Sequence, residues 1–217
     1  MAIRKNDGPF SPDRVWVLTN PHPGNRIQAI GLADALGWPY EVKELHFTKR
    51  ARWRGFLPFL PLTLGLDRRK SSPLKPPWPD LVIGVGRSTA SITRWIGRVS
   101  RGSTRTVQLG RGGGAMAGRY DAVVTPLHCR MPPDARRYDT LAPLHSISLQ
   151  QLVEASRQWP ELLNGAPRPV VGLVVGGDAP RFRLNAEDAA EMASRVRQWA
   201  EESGGCVLAV TSRRTSR

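Results

Sequence analysis

The chain has 217 residues, 40% of them hydrophobic, and a formal net charge of +14. That length suits one domain of about 100–200 residues and part of another, with enough apolar residues for a core. The N-terminal "MAIRKNDGPFSPD" has no apolar h-region and no apolar run reaches about 18 residues, so neither a secretory signal nor a membrane-spanning helix is expected.

In chain order, Val15–Leu18 reads as the first strand, followed by a helix with Ala29, Leu32, Ala33 and Leu36 on one face. Tyr40–Leu45 and Leu81–Val85 are the next strands. A helix with Ile92, Trp95, Ile96 and Val99 follows, with Ser88 as its candidate cap. Thr106–Leu109 and Ala122–Val124 complete five strand candidates. A further helix starts at Ser148, where "SLQQ" fits a capping box, and runs to Trp159 before Pro160. Alternating strands and helices predict an α/β, doubly wound Rossmann-like domain over residues 10–165. "NGAPRP" at 164–169 reads as a linker.

Residues 166–217 predict one more βαβ unit. Val170–Val175 is an apolar run suited to a strand buried on both faces, and Gly176, Gly177 and Asp178 form a turn. Asn185 caps a helix striped with Ala189, Met192, Ala193, Val196, Trp199 and Ala200. Gly204 and Gly205 end it, and Val207–Val210 is the following strand. Two strands do not complete a parallel sheet, so the segment is expected to open a second domain that is not finished here. Cys129 and Cys206 show no metal-ligand or CxxC spacing and are read as reduced thiols.

The charge is segregated. Residues 1–45 hold 5 basic and 5 acidic residues, residues 138–217 hold 9 and 9, and residues 46–137 hold 18 and 4. An anionic partner is expected there. Within this stretch Arg50, Arg52 and Arg54 accompany Trp53, Phe56, Phe59 and Leu60, and Arg68, Arg69 and Lys70 follow. Pro58 and Pro61 oppose a clean helix. Cations beside aromatic and leucine side chains suit an anionic membrane interface; packing of the same apolar residues on the domain core is the alternative. Nucleic acid ranks last, because no recognition motif accompanies the charge.

Loops at strand C-termini bind ligands in open α/β sheets. After the first strand come Asn20, His22, Gly24, Asn25 and Gln28; after the third come Gly86, Arg87 and Ser88, opening a helix whose N-terminus suits an anion. "GRGGG" at 110–114 and "TPLHC" at 125–129 follow later strands. His22 and His128 are the histidines best placed for acid–base chemistry; His46 and His145 lack a comparable context. No GxSxG, HExxH or Walker A pattern occurs.

The segments "RVWVLTNPHPGNRIQ", "PWPDLVIGVGRS", "TVQLGR", "YDAVVTPLH", "VVGGDAPRF" and "TSRRT" occur in this order. Through them the chain resembles the bacterial relatives of the plant elongated-mitochondria fission protein, a family regarded as GT-B-type glycosyltransferases. The resemblance spans about residues 14–215. It implies two Rossmann-like domains, the N-terminal one holding an acceptor and the C-terminal one a nucleotide-sugar donor, which serves as co-substrate with no further cofactor or metal. Acceptor-side residues would be Asn20, Gly24, Gln28, Gly86 and Arg87, with His22 and His128 catalytic. Donor-side residues would be Gly176, Gly177, Asp178, Thr211, Ser212, Arg213 and Arg214. An envelope or lipid-linked acceptor at the cytoplasmic membrane face is implied; a non-catalytic, membrane-associated adaptor is the alternative. The first loop departs from the family's "TDGKxGxxxQ", and Cys129 stands where an aspartate is usual. Family members continue beyond "TSRRT", so this 217-residue form is expected to be inactive in transfer.

Overall fold

The structure, a computed structural model, describes residues 10–49, 63–110, 117–160, 164–177, 183–212 and 215. It divides into two compact units, Met1–Ile147 and Ser148–Arg217.

The first unit is built on strands that are apolar on both faces. β1 (Val15–Thr19) and β3 (Leu81–Val85) are buried along their whole length, as helices packed on both sides of a sheet require. With β2 (Tyr40–Glu44), β4 (Arg105–Leu109), β5 (Ala122–Pro126) and β6 (Arg137–Thr140) they form a six-stranded sheet in the order β2-β1-β3-β4-β5-β6. Every pair in it is parallel. β6 is absent from the sequence reading, because its "RYDT" is a polar edge strand with only Arg137 and Thr140 half-buried.

Helix α1 (Pro23–Leu36) follows β1, and α2 (Gly86–Val99) follows β3. The sheet's alternation sends Val15, Val17, Ile83 and Val85 to the face where Ala29 and Ala33 of α1 pack. It sends Trp16, Leu18 and Val82 to the opposite face, against Ile92 and Ile96 of α2. Opposite faces for successive helices make the fold doubly wound and Rossmann-like, as expected. Leu36 and Val99, placed on the buried stripes by periodicity, lie at the helix ends and are exposed.

Two aspartates fix the N-terminal ends of the strands. The Asp80 carboxylate accepts from Asp13 N (3.1 Å) and Arg14 N (2.9 Å), tying β3 to the start of β1. Asp121 accepts from Thr106 N (2.9 Å) and Thr106 Oγ1 (2.8 Å), tying β5 to β4. The aspartates of "PWPD" and "YDAVV" thus hold strands in register at the edge away from the ligand-binding loops.

The second unit comprises α3 (Leu149–Gln158), β7 (Val170–Val175), α4 (Ala186–Glu202) and β8 (Cys206–Thr211). The capping box is present: Ser148 Oγ accepts from Gln151 N (3.1 Å), and Ser148 N donates to Gln151 Oε1 (2.9 Å). Asn185 caps α4 by accepting from Asp188 N at 2.7 Å. β7 and β8 form a two-stranded parallel sheet, the expected βαβ unit. Its burial differs from expectation. β7 alternates half-buried and exposed residues rather than being closed on both faces, because β8 is its one partner strand and α4 covers it. Of the predicted α4 stripe, Ala200 is buried and Trp199 is exposed.

Candidate functional site

The strand order turns at β1 and β3: the chain goes outward from β1 to β2 on one side, then returns to build β3 to β6 on the other. Ligands of open α/β sheets sit at such a switch point, beyond the strand C-termini. A cleft of about 460 Å³ lies there, lined by Asn20, Pro21, His22, His46, Phe47, Thr48, Asp67, Lys70 and Ser88.

Asn20 organises the cleft. It is the first residue after β1 and only 5% exposed. Its Nδ2 donates to Ser88 Oγ (2.7 Å), and its Oδ1 accepts from His22 N (3.1 Å) and Asn25 Nδ2 (3.2 Å). One buried amide thereby locks the loop after β1 to the first turn of α2. Gly86 has φ +73°, and a Cβ there would lie 3.0 Å from Asn25 Nδ2, so glycine permits this approach. Gln108 Nε2, from β4, donates to Gly86 O at 3.0 Å.

Both helices that start at the cleft begin without a side-chain cap and without an acid in their first turn. Their N-terminal dipoles therefore favour a negative group. Pro23 opens α1, where its missing N–H costs nothing.

The opposite wall comes from the connection between β2 and β3. Phe47 and Leu66 form an antiparallel bridge, and Asp67 N donates to His46 O at 2.9 Å. Ser71 Oγ accepts from His46 N at 2.9 Å, and Ser72 N donates to Glu44 O at 2.8 Å. Asp67 Oδ1 accepts from Arg69 N (3.1 Å) and Lys70 N (3.3 Å), closing a turn that holds its carboxylate at the cleft. His46 Nε2 is 3.5 Å from Glu44 Oε1.

The structure therefore brings Asn20 and His22 together with four polar residues that the sequence reading did not assign to a site: His46, Thr48, Asp67 and Lys70. They sit on a connection without helical or strand periodicity, so no pattern announced them. Ser88, expected as a helix cap, instead receives the Asn20 amide. Gly24 is on α1, and its carbonyl accepts from Gln28 Nε2 at 3.1 Å, which turns Gln28 back along its own helix. Arg87 is exposed in the first turn of α2. His128 is exposed in a 3-10 turn after β5 (Leu127–Cys129) and is not among the residues lining the cleft.

Beside the sheet, Tyr120 is 3% exposed and donates from its hydroxyl to Ala90 O at 3.0 Å. Burial pushes its pKa up to about 12.

In the second unit, Gly176 and Gly177 follow β7, while Thr211 ends β8 and Ser212 follows it. Thr215 joins the two loops. Its Oγ1 donates to Gly176 O (2.8 Å) and accepts from Ser212 N (2.9 Å). Thr215 was legible as the end of "TSRRT" but was not assigned a role. Asp178, Arg213 and Arg214 lie outside the described residues, as do Arg50, Arg52, Trp53, Arg54, Phe56, Phe59 and Leu60. Cys129 and Cys206 are free thiols. Among the described residues, no cluster of three or more His, Cys, Asp or Glu is placed to hold a metal ion, and no helix is long and apolar enough to cross a membrane.

A parallel, doubly wound sheet with helices on both faces defines an α/β protein of the Rossmann-like kind. The family model described as "Mitochondrial fission ELM1" matches residues 23–217, and the chain belongs to that family. Searches of curated proteins and of solved structures return no match.

Proposed function

We propose that this protein acts in glycosyl transfer of the GT-B type, its first unit binding the acceptor and the loops after β7 and β8 binding a nucleotide-sugar donor. The observation that carries the reading is the switch-point cleft, where two imidazoles, a carboxylate, an ammonium and two uncapped helix N-termini meet.

In such a reaction the acceptor oxygen forms a bond to the sugar's anomeric carbon. The bond from that carbon to the donor phosphate oxygen breaks, and the nucleoside diphosphate leaves with the electron pair. The acceptor's hydroxyl proton goes to a base. His22 is suited to that role, because its backbone is fixed by Asn20 while its side chain is exposed at the cleft. Lys70 and the N-termini of α1 and α2 suit an anionic acceptor group. On the donor side, the Gly176–Gly177 turn suits a phosphate approached by backbone amides, and Arg213 and Arg214 add guanidinium forks suited to diphosphate.

The basic stretch with Arg50, Arg52, Trp53, Arg54, Phe56, Phe59 and Leu60 supports a site of action at the cytoplasmic face of an anionic membrane. Calorimetric titration with UDP-, GDP- and CDP-sugars tests the reading. One of them is expected to bind, and the double variant Arg213→Ala/Arg214→Ala to weaken it roughly ten- to a hundredfold. No binding of any nucleotide sugar would overturn it. Binding to anionic vesicles that is lost at high salt, and weakened by Phe56→Ser/Phe59→Ser/Leu60→Ser at constant charge, is expected from the membrane placement.

A further inference from the structure

The turn that walls the switch-point cleft has a second side. Asp67 and Lys70 line the polar cleft, whereas Leu66, Arg68, Ser71 and Ser72 of the same turn line another cleft, also of about 460 Å³. The far wall of this second cleft is formed by Leu74, Trp78 and Trp95. The indole rings are fixed by edge-to-face packing: Trp16 and Trp78 at 6.0 Å between centroids, Trp78 and Trp95 at 5.6 Å. Leu66, Leu74, Trp78 and Trp95 rest on the core cluster of Trp16, Leu18 and Ile92, so the floor is apolar and rigid. At the rim stand two exposed cations, Arg68 and Lys75, and among the described lining residues there is no acid.

We propose that this second cleft is a binding site for the hydrocarbon chain of an anionic lipid whose phosphate headgroup meets Arg68 and Lys75. The volume lies within the range of small-molecule sites, about 300–1,000 Å³, which are mostly apolar with a few placed polar groups. An apolar floor selects the chain. A rim of two cations without an opposing carboxylate, in the stretch that holds 18 basic and 4 acidic residues, selects the negative head. One turn separates this site from the polar cleft, with Arg68 lining the one and Asp67 and Lys70 the other. The binding site stands without the glycosyl-transfer reading. Its role as the acceptor's anchor rests on that reading.

The test uses the full chain and 12-bromododecyl phosphate, held below its micelle concentration. Its bromine quenches nearby indoles. Saturable quenching at one ligand per chain is expected, with most of the amplitude lost in Trp78→Phe/Trp95→Phe. Arg68→Gln/Lys75→Gln, both surface changes, are expected to weaken binding at least about threefold. Bromododecanol is expected to bind more weakly and to ignore those two changes, and inorganic phosphate not to compete at equal concentration. Leu74→Trp is expected to fill the cleft and abolish binding; the charge variant keeps the test decisive if that protein fails to fold. Absence of saturable quenching by the monomer, with adsorption to anionic vesicles alone, would overturn the site. So would quenching that both double variants leave unchanged. Lipid-phosphate binding without binding of any nucleotide sugar would leave this site standing and remove its acceptor role.

Discussion

The two parallel sheets of this protein are made from similar sequence and end in different physical states. β3, "LVIGV", and β7, "VVGLVV", are both apolar runs with an internal glycine. β3 is closed by neighbours on both edges and a helix on each face. β7 has β8 on one edge, and Val174 remains 79% exposed. Burial of a strand therefore belongs to the strands and helices around it, and the run of letters states only that it tolerates burial. The two glycines make the same point. A Cβ at Gly84 would lie 2.1 Å from Thr93 Oγ1 and 2.6 Å from Gln108 Oε1, whereas a Cβ at Gly172 meets nothing within 4 Å.

The largest expected difference is in side-chain truncation. Ile83→Ala removes a fully buried side chain and is expected to cost about 2–5 kcal/mol, whereas Val174→Ala should stay within about 0.5 kcal/mol. Hydrogen exchange of β3 and β7 amides in both variants checks this. Comparable losses would show that β7 is covered in solution.

Alkaline pH separates the units next, because the chain's three tyrosines, Tyr40, Tyr120 and Tyr138, all belong to the first. Burial raises the folded pKa of Tyr120 to about 12, above the ordinary tyrosine value of 10.0. The unfolded chain thus releases this proton first, and stability falls as pH rises from about 10 through about 12. The stabilisation is fully present below pH 10, and its loss is on the order of 2–3 kcal/mol. Urea denaturation followed at β3, between pH 9 and 12, should show a shallower fall in Tyr120→Phe. An identical fall in the variant would remove Tyr120 as the cause.

A smaller contrast is expected at the glycines. Gly84→Ala should cost about 1–3 kcal/mol through overpacking against Thr93 and Gln108, while Gly172→Ala should change stability by less than about 1 kcal/mol. Chemical denaturation monitored separately in each unit checks the pair. The smallest effect is local: Ser148→Ala breaks the capping box and should cost about 1 kcal/mol in α3, read as faster exchange of Gln151 N while β3 is unaffected.

Legibility in the sequence followed the same division. The strands β1 and β3 announce themselves as continuous apolar runs, buried on both faces, and the helices α1 and α2 by the spacing of their apolar residues. β6 does not, because an edge strand of Arg, Tyr, Asp and Thr has no apolar face to display. Asn20 and His22 were found by position after a strand, and their geometry joins them to Ser88. His46, Asp67 and Lys70 were not found, since they meet only because residues 66–72 are hydrogen-bonded to the end of β2. That pairing joins residues from 19 (Phe47 and Leu66) to 28 (Glu44 and Ser72) positions apart without a motif. Gln28 was named from the same position after the strand, and its Nε2 donates to Gly24 O one turn back along α1.

The first unit places its aspartate ties at one end of the strands and its cleft at the other. Asp80 ties β3 to the start of β1 and Asp121 ties β5 to β4, both at the N-terminal ends of the strands. The polar side chains of the loop after β1 and of the turn at 66–72 can then change while these ties hold, whereas Leu66 of that turn stays packed on the core beside Trp16 and Leu18. The two ends of this sheet thus carry different constraints, strand register at one and the side chains that line the cleft at the other.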